Sequence, residues 1–303
     1  DPKATGVGGA TWASGGDLNT ARAQGAGHGT QTAAMYSSGR NSASPITVTA
    51  NVEQYNGSSW TEIANVNNAR FAIGSGGTST AGIIFGGRAG PNTGLNYTET
   101  WDGSSWTETA NLTTARAYIG GNGTTTAAIG AGGGPPTTGK AETWDGSSWT
   151  EVGDLNTARI YVGMMGGPAA STAAVAAGGY ADPAPSNVSE TWNGSSWTEG
   201  NNLNTNRDGG GVSGSSTAGL IFGGGSPPGA YIANNESYDG ASYTEQNDMS
   251  VSGGYRTGSP VGTQSLALAA GGFGPGLVAT TEEFSAAGAT DTLQNDGQVF
   301  YRS

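Results

Sequence analysis

The chain has 303 residues, 11 basic against 23 acidic, a formal net charge of −12 and no Cys. That balance repels phosphate backbones, so nucleic acid is not an expected partner, and without Cys there are no disulfide scaffolds, thiolate metal sites or Cys nucleophiles. No apolar run approaches the ~20 residues of a membrane-spanning helix, which argues against membrane insertion.

The chain begins at Asp1 with neither Met nor a visible signal peptide, so it is expected to be a processed product or a portion of something longer. Residues 1–9 read as an N-terminal extension. Thr11-Trp12 reads as an outer strand with no third strand before it. Arg22 follows Trp12 by ten residues, and the same interval recurs from Trp60 to Arg70, Trp106 to Arg116, Trp149 to Arg159 and Trp197 to Arg207. Successive Arg spacings are 48, 46, 43 and 48, and a further 49 reaches Arg256. A period in this range marks a repeat architecture.

The repeat from Arg70 to Leu112 reads as four strands. Arg70-Phe-Ala-Ile-Gly is the first and Thr80-Ala-Gly-Ile-Ile-Phe85 the second, closed by Gly86-Gly87. A variable loop over Arg88–Asn96 leads to Tyr97-Thr-Glu-Thr-Trp101, which alternates as a third strand. Asp102-Gly103 is a hairpin signal, and Ser105-Trp-Thr-Glu108 is the fourth strand. The hairpin recurs as Tyr55-Asn-Gly-Ser-Ser-Trp60, Trp144-Asp-Gly-Ser-Ser-Trp149 and Trp192-Asn-Gly-Ser-Ser-Trp197, and in worn form as Tyr238-Asp-Gly-Ala-Ser-Tyr243. Gly-Gly-like points fall at Ser38-Gly39, Gly86-Gly87, Gly132-Gly133, Gly178-Gly179, Gly223-Gly224 and Gly271-Gly272. The last third strand, Thr281-Glu-Glu-Phe284, has no Trp after it.

Four short strands cannot bury both faces alone. Stacking such sheets around an axis does so and leaves only short edges. The expected fold is therefore all-β, a six-bladed β-propeller over residues 10–285 whose last blade is closed by the N-terminal strand. Residues 286–303 break the repeat and form a C-terminal tail, a candidate segment for docking to a partner. An Arg opening the first strand, a hydrophobic run ending in Gly-Gly, then Glu-x-aromatic-Asp and a closing Trp together resemble the kelch repeat. That resemblance implies a propeller of six or seven blades, the type carried by galactose oxidase; the count here is six.

The repeat Arg22, Arg70, Arg116, Arg159 and Arg207, with Arg256, could form a ring gripping an anion. The better reading is structural. Each blade also has a Glu two residues before its third-strand aromatic (Glu53, Glu99, Glu142, Glu190, Glu236, Glu282), and guanidinium matches carboxylate bidentately. His28 is the only His, and a lone His with no Cys makes neither a metal site nor a triad. The resemblance implies that kelch-type oxidases need His, Tyr and Cys around copper, a centre this chain cannot build. No catalytic residue, cofactor or metal is expected.

Near-identical Trp-Asp-Gly-Ser-Ser-Trp-Thr-Glu and Asn-Thr-Ala-Arg segments are similar to kelch-like proteins encoded by phages of aquatic bacteria. The expected function is a non-enzymatic interaction module, extracellular or on a virion, with other proteins of the same particle or a surface glycan or receptor as partners. The alternatives are a secreted or cell-surface glycan-binding propeller and, less favoured, an enzyme. The hairpins barely vary, whereas the second-to-third-strand loops vary freely, as ligand loops on a rigid scaffold do. Arg40, Arg88 and Lys140 in those loops, with Tyr180 and Tyr231, are the candidate binding face: a basic arc with two Tyr across from it.

Overall fold

The structure is a computed structural model that describes residues 10–90, 93–226 and 230–286 and the backbone of residues 292–295 and 298–301. Residues 1–9 and half of the tail lie outside the described residues. The chain forms a six-bladed β-propeller in which the strands of blades one to five run outward from the axis in sequence order, while blade six takes its outer strand from the N-terminal end. Blade two, for example, comprises Gly74–Gly77, Gly82–Phe85, Thr98–Trp101 and Trp106–Thr109. Among the described residues the only helical turn is the 3-10 segment Gly167–Ala169, and no helix is long and apolar enough to cross a membrane.

Ring closure joins the two ends of the propeller. Thr11–Ser14 pairs antiparallel with Thr281–Ser285, placing Trp12 opposite Phe284. This strand is the outer strand of blade six, whose inner edge is irregular. Gly258–Gly262 form no ladder, and Thr257 makes a single bridge to Ala270. Pro260 interrupts this stretch, and a residue without an N–H cannot sustain a ladder.

The inner strands begin four residues later than the sequence suggests. Arg70 does not open a strand. It precedes Phe71, which bridges Arg88, and Ala72, which turns into the left-handed region with φ +58°. Only from Gly74 does the ladder start. The Gly-Gly points are double left-handed turns, as at Gly86 (φ +66°) and Gly87 (φ +95°). A Cβ on Gly86 would lie 2.7 Å from the Arg116 carbonyl of the next blade, so this turn admits no larger residue without a shift.

The repeat aromatics fill the wedge between blades. Trp101 and Trp106 lie 5.5 Å apart. Trp149 packs edge-on against Phe85 of the previous blade at 4.6 Å and donates its indole N–H to Thr98 at 2.9 Å. Leu18, Val66, Leu112, Leu155, Leu203 and Met249, one from each crossing between blades, are buried. These contacts explain why the motif repeats so closely: each copy fills one of six equivalent gaps. Past the propeller, the backbone of Thr292–Asn295 and Gln298–Tyr301 pairs as an antiparallel hairpin.

Candidate functional site

The two faces of the ring differ. One carries the hairpins Asn56-Gly57, Asp102-Gly103, Asp145-Gly146, Asn193-Gly194 and Asp239-Gly240, each capped alike. Asp102 accepts the Ser104 and Ser105 backbone N–H groups at 2.8 Å, and bonds from these serines hold its carboxyl down at about 2. Asp145 repeats this arrangement. The opposite face carries the second-to-third-strand loops and the crossings that lead into each inner strand.

At the centre of that loop face the blades are joined in a closed hydrogen-bonded ring. Ala72 N–H donates to Gln24 O, Tyr118 to Ala72, Tyr161 to Tyr118, Gly209 to Tyr161, Tyr255 to Gly209 and Gln24 to Tyr255, at 2.7–3.4 Å. All six residues have φ between +54° and +59°. A left-handed conformation costs a non-glycine residue on the order of 1–3 kcal/mol and persists where its surroundings over-determine it. Here each residue is tied to both neighbouring blades.

Side chains cover one sector of the ring. Tyr118 and Tyr161 have centroids 4.5 Å apart, and Tyr161 and Tyr255 4.7 Å apart. The second contact spans blade five, which has only Gly209 in this position. A Cβ there would lie 2.2 Å from the Tyr255 ring. Tyr231 and Phe273 extend the aromatic sector outward at 6.3 Å. Burial raises the hydroxyl pKa of Tyr161 and of Tyr255, so both remain protonated donors. Gln24 donates to the Tyr161 hydroxyl at 2.9 Å.

The residues following the Gly-Gly points occupy one equivalent position: Arg40, Arg88, Gly134, Tyr180, Gly225 and Phe273, each bridged to the residue after the repeat Arg or its counterpart. Arg40 and Arg88 are not a free basic arc. Arg40 lies over the Phe273 ring at 4.2 Å. Arg88 is 7% exposed, stacks near Phe71 and Tyr118 and donates to the Tyr118 hydroxyl. Lys140 stands apart beside the third strand of blade three, its side chain 36% exposed and paired with Glu151 at 2.9 Å. The two guanidinium groups thus border the aromatic sector, while Lys140 takes no part in it.

Tyr180 and Tyr231 do come together. With Tyr255, Asp208, Pro183 and Pro185 they line a cleft of about 430 Å³ between the short hairpins of blades four and five. Tyr118, Tyr161, Tyr255, Phe273 and Asp208 were not singled out from sequence. Aligning the repeats and reading two columns would have found most of them: the second residue after each Arg and the first after each Gly-Gly.

The repeat Arg side chains point away from this face, into the blades. Arg22–Glu53, Arg70–Glu99, Arg116–Glu142, Arg159–Glu190, Arg207–Glu236 and Arg256–Glu282 meet at 2.5–3.2 Å, with all side chains at most 2% exposed. The second carboxylate oxygen takes a backbone N–H from the incoming crossing, Thr113 for Glu142 and Asn156 for Glu190, both at 2.7 Å. Each Glu therefore staples a crossing to its blade. Burial pulls the Arg116 pKa below its ordinary value, and Glu142 opposes that shift.

Arg256 is out of register. The carbonyl that accepts the preceding blade's Gly-Gly N–H belongs to the repeat Arg in five blades but to Gly253 in the sixth. Arg256, three residues later, folds back so that its Nε lies 2.5 Å from where a Gly253 Cβ would be, and its guanidinium reaches Glu282 at 3.2 Å.

His28 is fully buried in the wall between blades one and two. Its Nδ1 lies 2.8 Å from the Gly76 carbonyl, which only accepts, so Nδ1 carries the proton; Ser37 Oγ donates to Nε2 at 3.2 Å. Burial, opposed by the Gly76 bond, lowers its pKa from 6.5 to about 4. A folded value below the unfolded one gives stability that is complete above pH 6.5 and lost as pH falls towards 4. The expected loss between pH 7 and pH 5 is about 2 kcal/mol. Urea unfolding of His28→Gln should be nearly flat over that interval; an equally steep loss in this variant would place the titrating group elsewhere.

No protein-family model matches this chain, and no curated protein matches it. Among solved structures it is similar to that of YjhT, with a TM-score of 0.70 and 12% sequence identity, over 95% of this chain and 99% of that one. At that identity the likeness shows the fold alone.

Proposed function

We propose that this chain is a non-catalytic, kelch-type interaction module displayed on an extracellular particle, a phage virion, where its loop face binds a host surface or a neighbouring virion protein. The carrying observation is where the repeat departs from itself. The hairpin face is nearly uniform, whereas the ring around the axis and the positions after Gly-Gly change from blade to blade and gather Tyr118, Tyr161, Tyr255, Tyr231 and Phe273 on one side. Tyr is enriched at recognition surfaces because it gives a large rigid contact with a polar tip. The non-catalytic reading is supported by the use of the single His as a neutral strut between blades and of the repeat Arg residues in buried pairs.

A second reading, a secreted or cell-surface glycan-binding propeller, is favoured by the Tyr-lined cleft between blades four and five. Mass spectrometry of purified particles separates the two. The chain should co-sediment with capsid and tail proteins at fixed stoichiometry; a chain found only free in the medium or on cells would overturn the virion reading in favour of the second.

A further inference from the structure

We propose that the cleft between the hairpins of blades four and five is a saccharide-binding site, in which Asp208 accepts sugar hydroxyls, the Tyr255 hydroxyl, its proton directed at Asp208, accepts a further one, and Tyr180 and Tyr231 provide ring faces. The inference rests on the loop face being the ligand face of this propeller.

Asp208 is the departure from the repeat that demands a reason. It occupies the position after the repeat Arg, where the other blades have Ala23, Phe71, Ala117, Ile160 and, in the shifted register of blade six, Gly254. Its residue exposure is 7%, and among the described residues no basic side chain pairs with it, whereas six buried carboxylates elsewhere each have an Arg. Burial of a carboxylate without a cation is costly. Its carboxylate is met by the backbone N–H groups of Gly225 and of Asp208 itself and, at a long 3.4 Å, by the Tyr255 hydroxyl; a carboxylate has about four acceptor sites, so one remains for a ligand in the cleft it borders. Gly225 across the bridge keeps the space open, since a Cβ there would lie 2.4 Å from Asp208 Oδ1.

The walls suit a flat, polyhydroxylated ligand. Tyr231 and Tyr255 stand nearly perpendicular, at 81° and 6.4 Å, and Pro183 and Pro185 add rigid apolar surface beside Tyr180. A volume of about 430 Å³ falls within the ordinary range of small-molecule sites. Aromatic rings beside a carboxylate could also cage an alkylammonium group. Two observations weigh against that. The cleft is much roomier than such a head group. In addition, the positive charge of Arg40, held over Phe273 at 4.2 Å, reaches Tyr231 and would repel a cation at that end.

The test is a printed array of uncharged bacterial surface polysaccharides and eukaryotic glycans, probed with the full 303-residue chain. Binding to a subset is expected, weakened at least tenfold by Asp208→Asn and by Tyr231→Ala, kept by Tyr231→Phe and by Lys140→Ser, with melting temperatures close to the parent. An array with no bound glycan, or binding unchanged in Asp208→Asn, overturns the proposal. So does quenching of tyrosine fluorescence by tetramethylammonium, but not by potassium, in a chain that binds no glycan. Failure here is distinguishable from failure of the virion reading: a chain present in particles that binds no glycan on the array defeats the saccharide cleft alone, whereas a glycan-binding chain absent from particles defeats the virion location alone.

Discussion

A chain lacking residues 1–15 is expected to lose cooperative folding, because a single short strand closes the ring. Thr11–Ser14 covers the outer edge of Thr281–Ser285 through four register pairs. Trp12 packs on Phe222 and Phe284 at 5.1 and 5.2 Å and, with Ala10, belongs to the core between blades five and six that also holds Leu220, Met249, Ala267 and Ala269. Truncating a buried Trp to Ala typically costs about 3–5 kcal/mol. The deletion removes that contribution, the strand pairing and the protection of an edge that invites association. Against a total stability of roughly 5–15 kcal/mol, little would remain. Circular dichroism and analytical centrifugation should show an aggregating chain without a sharp transition. A deletion variant that melts cooperatively within a few degrees of the parent would mean that the other blades hold the ring without this clasp. Trp12→Ala, which keeps the strand, should show a smaller and still cooperative loss.

Arg116→Ala should destabilise the protein by about 3–5 kcal/mol, the usual cost of leaving one buried ionic partner uncompensated. Glu142 would retain the Thr113 N–H on one oxygen but lose the guanidinium on the other. The end of the crossing from blade two to blade three would then lose its links to the ladder at Glu142 and at the Gly130 carbonyl, which the guanidinium reaches at 3.5 Å, and keep only the Thr113 bond. The double variant Arg116→Met with Glu142→Leu should recover part of the loss, because an apolar pair of similar bulk carries no desolvation cost. Urea denaturation of the single and double variants measures both effects. If Arg116→Ala melted with the parent while ligand binding vanished, the side chain would be gripping an anion instead of stapling a crossing.

Much of the fold was legible because its determinants are local and repeated. Asp102-Gly103 specifies a tight hairpin by its own backbone chemistry, the Trp spacing on either side sets the strand pair, and six Gly-Gly points set the number of blades. The unmatched Trp12 and Phe284 pointed to closure, since a missing partner at one end and a spare at the other are complementary. The Arg and Glu columns implied a pair because one guanidinium and one carboxylate recur in every blade, and few other charges are at hand to partner them.

What the sequence by itself determined was therefore whatever one repeat decides for itself or with its immediate neighbour: strand order, hairpin type, blade count and the clasp. Tertiary structure alone decided where atoms of different blades meet and where long side chains settle within a blade. The inner strand starts at Gly74 and not Arg70 because Ala72 turns away to bond Gln24 of the adjacent blade. Arg256 reaches its Glu from three residues late because a long side chain can fold back over Gly253. Lys140 drops out of the loop-face cluster because Glu151 of its own blade is within reach. Tyr255 reaches Tyr161 across blade five only because Gly209 leaves the path open. Spacing along the chain does not encode the meetings of Ala72 with Gln24 and of Tyr161 with Tyr255, which depend on the closed ring bringing distant residues to the same few ångströms around its axis.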